Sequence, residues 1–316
     1  MSTGSTTYTC YGLTLSSEIA LPDLGEPLTD AGPADVVVRF GPLEAPPASA
    51  EQLPYSLWRD GSRCGVLVPD VGRYEARDGN EVVIDALPDA DPRAIRLFLL
   101  GTVLGAVMMQ RDHLVLHGNA IRVGDAVAVV VGHSGAGKST LAAEFDRRGF
   151  DVLSDDVVPV DADGLAVPGH PRIKLWDDAL ARLGVATDGL ERINDDHEKF
   201  QLPLRRNEIA ALPLRWVYVL ERHAGTELDV VGVHGAATFG LLHEHTYRNE
   251  LVHGPEAVAQ HLRQCARLVS GARVSLVRRP AATMTVEATA DAILADIEQD
   301  LPPGAAAVPA SPQECA

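Results

Sequence analysis

A glycine-rich segment, residues 132–140 with the sequence GHSGAGKST, contains the residue types that bind phosphate groups. The spacing Gly132-x4-Gly137-Lys138-Ser139 fits a loop whose glycines let backbone N–H groups converge on a phosphate while the lysine neutralises its charge. A helix after the loop would add the positive end of its dipole to the same anion. The residues expected to contact phosphates are Gly132, Ser134, Gly135, Ala136, Gly137, Lys138, Ser139 and Thr140.

The sequence on either side of this segment supports the same interpretation. The run AVAVVV before it predicts a buried strand and LAAEF after it predicts a helix, which is the context that a phosphate loop requires. In this pattern the hydroxyl of Ser139 holds Mg²⁺. The chain lacks the NKxD motif of guanine-specific GTPases and the LSGGQ motif of ABC-type ATPases. We therefore expect ATP and Mg²⁺ as the ligands.

Two adjacent aspartates, Asp155 and Asp156, follow Lys138 by about seventeen positions, at the end of an apolar strand. This short spacing predicts that their strand is a direct neighbour of the loop. Phosphoryl transfer needs charge neutralisation and a carboxylate that accepts the proton of an attacking hydroxyl. One aspartate can be that base and the other can lie on the Mg²⁺ side, or one of them only caps the turn. His117, in LHGNAI, either faces the same cleft or is a core histidine.

The charge balance of the chain limits its partners. With 27 basic and 44 acidic residues the formal net charge is −17, which repels nucleic acids and anionic membranes. Any anion site must therefore be built locally. The basic side chains expected to hold a substrate, or else to be ordinary surface charges, are Arg172 and Lys174 in PGHPRIKLW and Lys199 and Arg205 in EKFQLPLRR.

The organisation of the chain predicts three parts. Residues 1–90 contain short β-type segments, residues 91–300 contain alternating strands and helices, and the Pro/Ala-rich residues 301–316 are expected to be disordered. The apolar run IRLFLLGTVLGAVMM (95–109) is too short and too closely flanked by Arg96 and Arg111 to span a bilayer, so we expect a buried helix. Four scattered cysteines without metal-ligand spacing indicate a reducing, cytoplasmic setting.

The combination LHG…GHSGAGKST…RGF…VLSDD resembles the catalytic domain of HPr kinase/phosphorylase, over about residues 114–160. HPr kinases are bacterial protein-serine kinases whose P-loop fold is related to that of phosphoenolpyruvate carboxykinase. The resemblance implies an α/β fold: a P-loop kinase domain of the HPr kinase/PEP carboxykinase type with an amino-terminal β-rich region. It also implies a homo-oligomer and a site role for His117.

A wider resemblance, over about residues 8–280, is to the HPr-kinase-like proteins encoded with natural-product peptide clusters. Their characterised type, the lasso-peptide tailoring kinase, phosphorylates a C-terminal serine of a precursor peptide. By this resemblance Lys138 and Ser139 bind phosphate and Mg²⁺, Asp155 is the base, Asp156 its partner on the metal side, and His117 an orienting group. We expect an ATP-dependent serine kinase acting on a peptide or small protein. The alternatives are an HPr-type kinase/phosphorylase, a small-molecule kinase, or a nucleotide-dependent peptide-binding protein.

Overall fold

A computed structural model describes residues 4–170, 172–182, 185–187, 189–192, 199–204, 210–281 and 285–301. It shows a mixed α/β chain in which an amino-terminal β-sheet lies beside a second, larger sheet flanked by helices. A third, small sheet packs against the helix that follows the glycine-rich segment. Of the expected disordered tail, residues 302–316 lie outside the described residues, and the domain boundary expected after residue 90 stays a prediction.

The amino-terminal sheet is built from the β-type segments that the sequence predicts. Its spatial order is β1-β2-β3-β8-β7-β6-β5-β4, with parallel pairing of β3 to β2 and β8 and antiparallel pairing elsewhere. The strands are β1 (Thr6–Cys10), β2 (Leu13–Ser17), β3 (Val36–Phe40), β4 (Glu51–Leu53), β5 (Leu57–Asp60), β6 (Arg63–Val68), β7 (Gly72–Arg77) and β8 (Glu81–Ala86). Short 3-10 turns lie at Pro22–Leu24 and Pro54–Ser56.

The apolar run forms a helix that packs on this sheet. It consists of α1 (Pro92–Phe98), a π-helical segment (Leu99–Val103) and α2 (Leu104–Gln110), and Asp91 caps its start by accepting a hydrogen bond from the N–H of Arg93. The helix is long and apolar enough to cross a membrane by length and composition, but 61% of its apolar window is buried inside the protein. Its side chains share one core with those of the amino-terminal sheet. The sequence expectation of a buried core helix agrees with this packing.

The larger sheet has helices on both of its faces. Its order is β12-β10-β11-β18-β14-β13-β9, with β20 parallel to β18 and β19 antiparallel to β20. Its strands are β9 (Leu114–Leu116), β10 (Gly118–Val123), β11 (Ala126–Gly132), β12 (Val152–Asp155), β13 (Val158–Val160), β14 (Leu165–Ala166), β18 (Leu212–His223), β19 (Asp229–Val233) and β20 (Arg273–Pro280). The helices are α3 (Lys138–Arg147), α5 (Ala236–Glu244), α6 (Gly254–Gly271) and α7 (Val286–Asp300), with a 3-10 turn at Asn249–Leu251.

The alternation in AVAVVV explains the two covered faces. Along a strand successive side chains point to opposite sides. Val127, Val129 and Val131 belong to the core under α5 and α6, whereas Ala126, Ala128 and Val130 belong to the core under α3 and α7. Because both faces are buried, the strand is a continuous apolar run, as predicted.

The small sheet has the order β15-β17-β16, all antiparallel, with strands β15 (Arg172–Trp176), β16 (Glu191–Arg192) and β17 (Lys199–Pro203). With α4 (Asp177–Arg182) it packs on α3 and β12 through a separate core. The described cysteines Cys10, Cys64 and Cys265 are buried and free.

Candidate functional site

The glycine-rich loop, residues 132–139, connects β11 to α3 as the sequence predicts. Gly132, Gly135 and Gly137 have φ values of 150, 77 and 95°, a region that L side chains rarely adopt. A Cβ on Gly132 would also lie 3.0 Å from the carbonyl oxygen of Leu220 on the parallel neighbour β18. Ser134 lies in the loop, and Ser139 and Thr140 lie in the first turn of α3. The loop thus meets a helix N-terminus, where backbone N–H groups favour an anion.

Lys138 is the first residue of α3, and its ammonium lies against the loop. Its Nζ donates to the carbonyl oxygens of Gly132 at 2.7 Å and His133 at 3.3 Å. Burial lowers the pKa of Lys138 from its ordinary value, and the Asp156 and Asp155 carboxylates oppose that shift. The side chain is therefore close enough to feel both carboxylates.

Asp155 is the last residue of β12 and is buried, with 3% of its surface exposed. Its Oδ1 accepts hydrogen bonds from Nδ2 of Asn119 and from Oγ of Ser139, the latter at 3.1 Å, and its Oδ2 accepts from the backbone N–H of Lys174 at 2.8 Å. Burial raises the pKa of Asp155, and the neighbouring Asp156 raises it further. Asp155 is thus joined to the first turn of α3.

The prediction that the Asp155 strand is a neighbour of the loop agrees with the contact between Asp155 and Ser139, although β12 does not pair with the loop strand β11. β10 forms a hairpin with β11 and lies between β11 and β12, pairing with both. Asp155 reaches Ser139 nonetheless, because it stands opposite Asn119 at the end of the β10–β12 pair, next to the start of α3.

Asp156 occupies a different environment one residue further on. Its φ is 77°, and the turn that holds it there is closed by a hydrogen bond from Oγ of Ser154 to the carbonyl oxygen of Val157. Its Oδ2 lies 3.2 Å from Nζ of Lys174 and its Oδ1 lies 3.5 Å from Nδ1 of His117. Burial alone would raise the pKa of Asp156, but Lys174 and His117 hold it well below its usual range. Asp156 is therefore ionised at pH 7.

Lysines on three elements surround the two carboxylates. Lys138 comes from α3, Lys174 from β15 and Lys199 from β17. Burial by itself would lower the pKa of Lys174, but Asp156 raises it above its ordinary value. Burial lowers the pKa of Lys199, and Asp156 opposes that shift. The Lys199 Nζ also lies 5.5 Å from the ring centroid of Trp176, which faces it across the two strands. The site is thus locally cationic in a strongly acidic chain.

His117 separates β9 from β10 and lies beside Asp156. Its ring stacks on that of Tyr247, with centroids 5.5 Å apart and an interplanar angle of 18°. Its backbone N–H donates to the carbonyl oxygen of His245 at 2.7 Å. Burial lowers the pKa of His117 to about 4, so the ring is neutral at pH 7. The structure therefore brings the predicted histidine to the aspartate pair.

The remaining predicted substrate residues lie apart from this cluster or outside the described residues. The Arg172 Nη1 donates to Oε1 of Gln201 at 2.7 Å and to Oε2 of Glu191 at 3.2 Å, and Nη2 donates to the carbonyl oxygen of Pro22. Its charge is already matched by neighbouring acids. Arg205 lies outside the described residues.

Several further residues of the site are not among those predicted from the sequence. Asn119 lies two positions after His117 in the motif LHGNAI, so the motif could have identified it as a site residue. Tyr11 comes from the distant β1–β2 turn; its buried hydroxyl lies close enough to Asp156 and Tyr247 for their charges to raise its pKa. Arg279, at the end of β20, donates to the carbonyl oxygen of Ala136 within the loop. Only the fold brings these residues together.

The oxygen donors beside the loop fit a magnesium ion. Ser139 Oγ and Asp155 Oδ1 are hard ligands 3.1 Å apart, and Mg²⁺ is commonly bound by one or two such protein groups plus water and phosphate oxygens. Among the described residues, no group of three or more His, Cys, Asp and Glu side chains is arranged to hold a metal ion. The site fits a metal shared with a phosphate ligand better than an all-protein metal cage.

Comparisons with known proteins give a limited result. No protein-family model matches the chain. No curated protein matches it either. One solved structure that it is similar to is the Hpr(Ser) kinase/phosphatase from Coxiella burnetii, with 11% sequence identity and a TM-score of 0.33, over 59% of this chain and 92% of that chain. The chemistry assigned below therefore rests on the side chains of the site.

Proposed function

We propose that the protein is an ATP- and Mg²⁺-dependent kinase that phosphorylates a serine hydroxyl of a peptide or small protein. The observation that carries the proposal is the Asp156 carboxylate, which is held ionised between Lys174 and His117 within reach of Lys138. Binding of a nucleotide alone needs no such base. A fixed carboxylate beside a phosphate-binding loop is what transfer to a hydroxyl requires.

In the proposed reaction Asp156 accepts the proton of the acceptor hydroxyl. The hydroxyl oxygen forms a bond to the terminal phosphorus of ATP, the bond from that phosphorus to the bridging oxygen breaks, and ADP leaves with that electron pair. Lys138 and the loop N–H groups bind the phosphates, and Lys199 offsets negative charge that develops around the transferred group, whereas Lys174 keeps Asp156 ionised. Neutral His117 fixes the orientation of the Asp156 carboxylate.

The contacts favour the reverse of the division of labour expected from the sequence. Asp155, not Asp156, lies hydrogen-bonded to Ser139, on the side where the metal ion is expected. Asp155 also has its oxygens occupied by Asn119, Ser139 and Lys174 N–H, whereas Asp156 faces His117 and Lys174. We therefore assign Asp156 as the base and Asp155 with Ser139 to the magnesium side. The ion supplies neutralisation of phosphate charge when it is bound.

The proposed acceptor is a peptide serine, of the type phosphorylated at the C-terminus of lasso-peptide precursors. One observation supports an acceptor that carries negative charge: lysines lie around the site even though the chain as a whole has a net charge of −17. A cytoplasmic location and a homo-oligomer are part of the same proposal.

The experiment follows nucleotide binding and transfer separately. We expect Lys138→Ala to lose Mg·ATP binding, measured with a fluorescent ATP analogue, while the protein stays folded. We expect the wild type to transfer ³²P from [γ-³²P]ATP to a pool of serine-containing peptides and not to the same pool with alanine in place of serine. ATP binding without any transfer would instead indicate a nucleotide-dependent binding protein.

A further inference from the structure

Arg248 lies between two tyrosine rings in a column that leads to the candidate base. Its guanidinium carbon is 5.9 Å from the ring centroid of Tyr55 and 5.6 Å from that of Tyr247. The Tyr247 ring stacks in turn on His117, whose Nδ1 lies 3.5 Å from Asp156. The column therefore connects the turn between β4 and β5, which supplies Tyr55, with the reacting centre.

The backbone of this column is strained at several points. Tyr55, Ser56 and Arg248 have φ values of 61, 56 and 47°, in the left-handed region that residues other than glycine rarely adopt. Such a backbone conformation is unfavourable for these residues and tends to occur at ligand sites. Tyr55 is also 71% exposed. The exposed ring of Tyr55 is therefore accessible to a ligand.

The contacts that the structure describes for the Arg248 guanidinium are with uncharged groups. Its Nε and Nη2 both donate to the hydroxyl of Thr102, at 3.2 and 2.9 Å. In the described parts of the chain no carboxylate lies within the 4.0 Å of an ion pair with Arg248. A part-buried guanidinium gains most from a planar anion, and Arg248 has N–H donors beyond the two that Thr102 accepts.

We propose that Arg248, held between Tyr55 and Tyr247, binds a carboxylate of the phosphate acceptor. This inference rests on the proposed kinase function and specifies its substrate: a peptide with a carboxylate a few residues from the phosphorylated hydroxyl. The successive separations along the column are 3.5, 5.5 and 5.6 Å. A few residues of extended chain, at about 3.3–3.6 Å each, cover that span.

The test measures peptide binding without requiring phosphoryl transfer. Two synthetic random octapeptide pools with a central serine, one ending in a free carboxylate and one in an amide, are passed over immobilised protein with Mg²⁺ and a non-hydrolysable ATP analogue. Retained peptides are sequenced by mass spectrometry. We expect wild type to enrich acidic peptides and Arg248→Gln to lose that enrichment. Enrichment confined to the free-acid pool identifies the terminal carboxylate as the source, whereas enrichment in both identifies Asp or Glu side chains.

Affinities of one retained acidic peptide then quantify the effect. We expect Arg248→Gln to weaken its binding about tenfold or more, as for the loss of hydrogen bonds between charged groups. Arg122→Gln, a change at an arginine of the β10–β11 hairpin that contacts Gly124 and Asp151, is the matched control and should bind as wild type does. Tyr55→Ala removes an exposed ring and so gives a folded second variant with weakened binding even if Arg248→Gln unfolds.

Three results would overturn the proposal. The first is that the wild type does not enrich acidic peptides, and the second is that wild type and both variants bind the peptide with equal affinity. The third is that Arg248→Gln loses affinity for Mg·ATP and not for the peptide, which would show that the guanidinium binds the nucleotide. If acidic peptides bind through Arg248 but receive no phosphate, the carboxylate subsite is supported and the kinase function is rejected.

Discussion

At the level of residues, the site depends on two adjacent carboxylates in different environments. Asp155 is buried among hydrogen-bond donors with a raised pKa, and Asp156 is held ionised by Lys174 and His117. Opposite pKa shifts in neighbouring acids are a common sign of separate roles. The roles follow from which neighbours each carboxylate contacts, and the sequence alone does not give those neighbours.

The first prediction separates these roles by mutation. Asp156→Asn should bind Mg·ATP nearly as wild type does and lower kcat by about a hundredfold or more, because general bases contribute about 10²–10⁴. Asp155→Asn should instead raise the Mg²⁺ concentration needed for half-maximal activity. Magnesium titrations of both variants make the comparison. A larger loss of kcat with unchanged magnesium dependence in Asp155→Asn would restore Asp155 as the base.

The second prediction concerns Lys174, which acts on Asp156 and is a positioning residue in this account. Lys174→Met removes the cation that lowers the pKa of Asp156, so burial then raises that pKa. The acidic limb of the pH–kcat profile should move to higher pH, by about 1–3 units, the usual effect of one close opposite charge. Lys174→Arg should keep the wild-type limb. A uniform fall in kcat at every pH would show that Lys174 does not act through Asp156.

At the level of elements, the glycines of the apolar helix explain how Tyr247 reaches His117. A Cβ on Gly105 would lie 2.9 Å from Cδ1 of Tyr247, and one on Gly101 would lie 3.2 Å from its hydroxyl. The helix thus has a notch that receives the tyrosine ring. Its LGTVLG sequence, which alone indicates only a core helix, also has a role in placing the site.

The third prediction tests this notch. Gly105→Ala should lower the free energy of unfolding by about 1–3 kcal/mol relative to Gly240→Ala, through overpacking against Tyr247. Gly240 lies within α5 with nothing within 4 Å of an added Cβ, so alanine there should be neutral or stabilising by about 0.5–1 kcal/mol. Urea unfolding of both variants measures the difference. Equal stabilities would mean that the ring does not depend on the notch.

The sequence predicts the elements that follow local rules and misses those formed by long-range pairing. The strand before the glycine-rich loop, the helix after it and the buried apolar helix follow from apolar periodicity, as the structure shows. The insertion of β10 between β11 and β12 and the small sheet with Lys174 and Lys199 depend on pairing between distant segments. Tyr11, Arg248 and Arg279 join the site for the same reason, since nothing near them in the sequence marks their destination.

At the level of the whole molecule, buried histidines predict sensitivity to acid. Burial lowers the pKa of His117, His170, His245 and His261 to about 4. The unfolded chain binds these protons below about pH 6.5, but the native state binds them only near pH 4, so stability falls as pH falls through that range. The raised pKa of Asp155 acts in the opposite sense, but it is a single group, whereas burial lowers the pKa of several histidines, His113 among them.

The fourth prediction is therefore a free energy of unfolding that is lower at pH 5 than at pH 7 by urea denaturation. His261→Gln should reduce this difference, because it removes one buried imidazole. His253→Gln, at an exposed position, should leave it unchanged. A pH-independent stability between 7 and 5 would contradict the burial of these rings in the neutral form.

The most direct test of the proposed chemistry is transfer of ³²P from Mg·[γ-³²P]ATP to the serine peptide pool, by wild type and by Asp156→Asn, with both proteins shown beforehand to bind the nucleotide equally. The account predicts labelled phosphoserine with the wild type and at least about a hundredfold less with Asp156→Asn. Equal labelling by the two proteins, or none by a wild type that binds Mg·ATP, would contradict it.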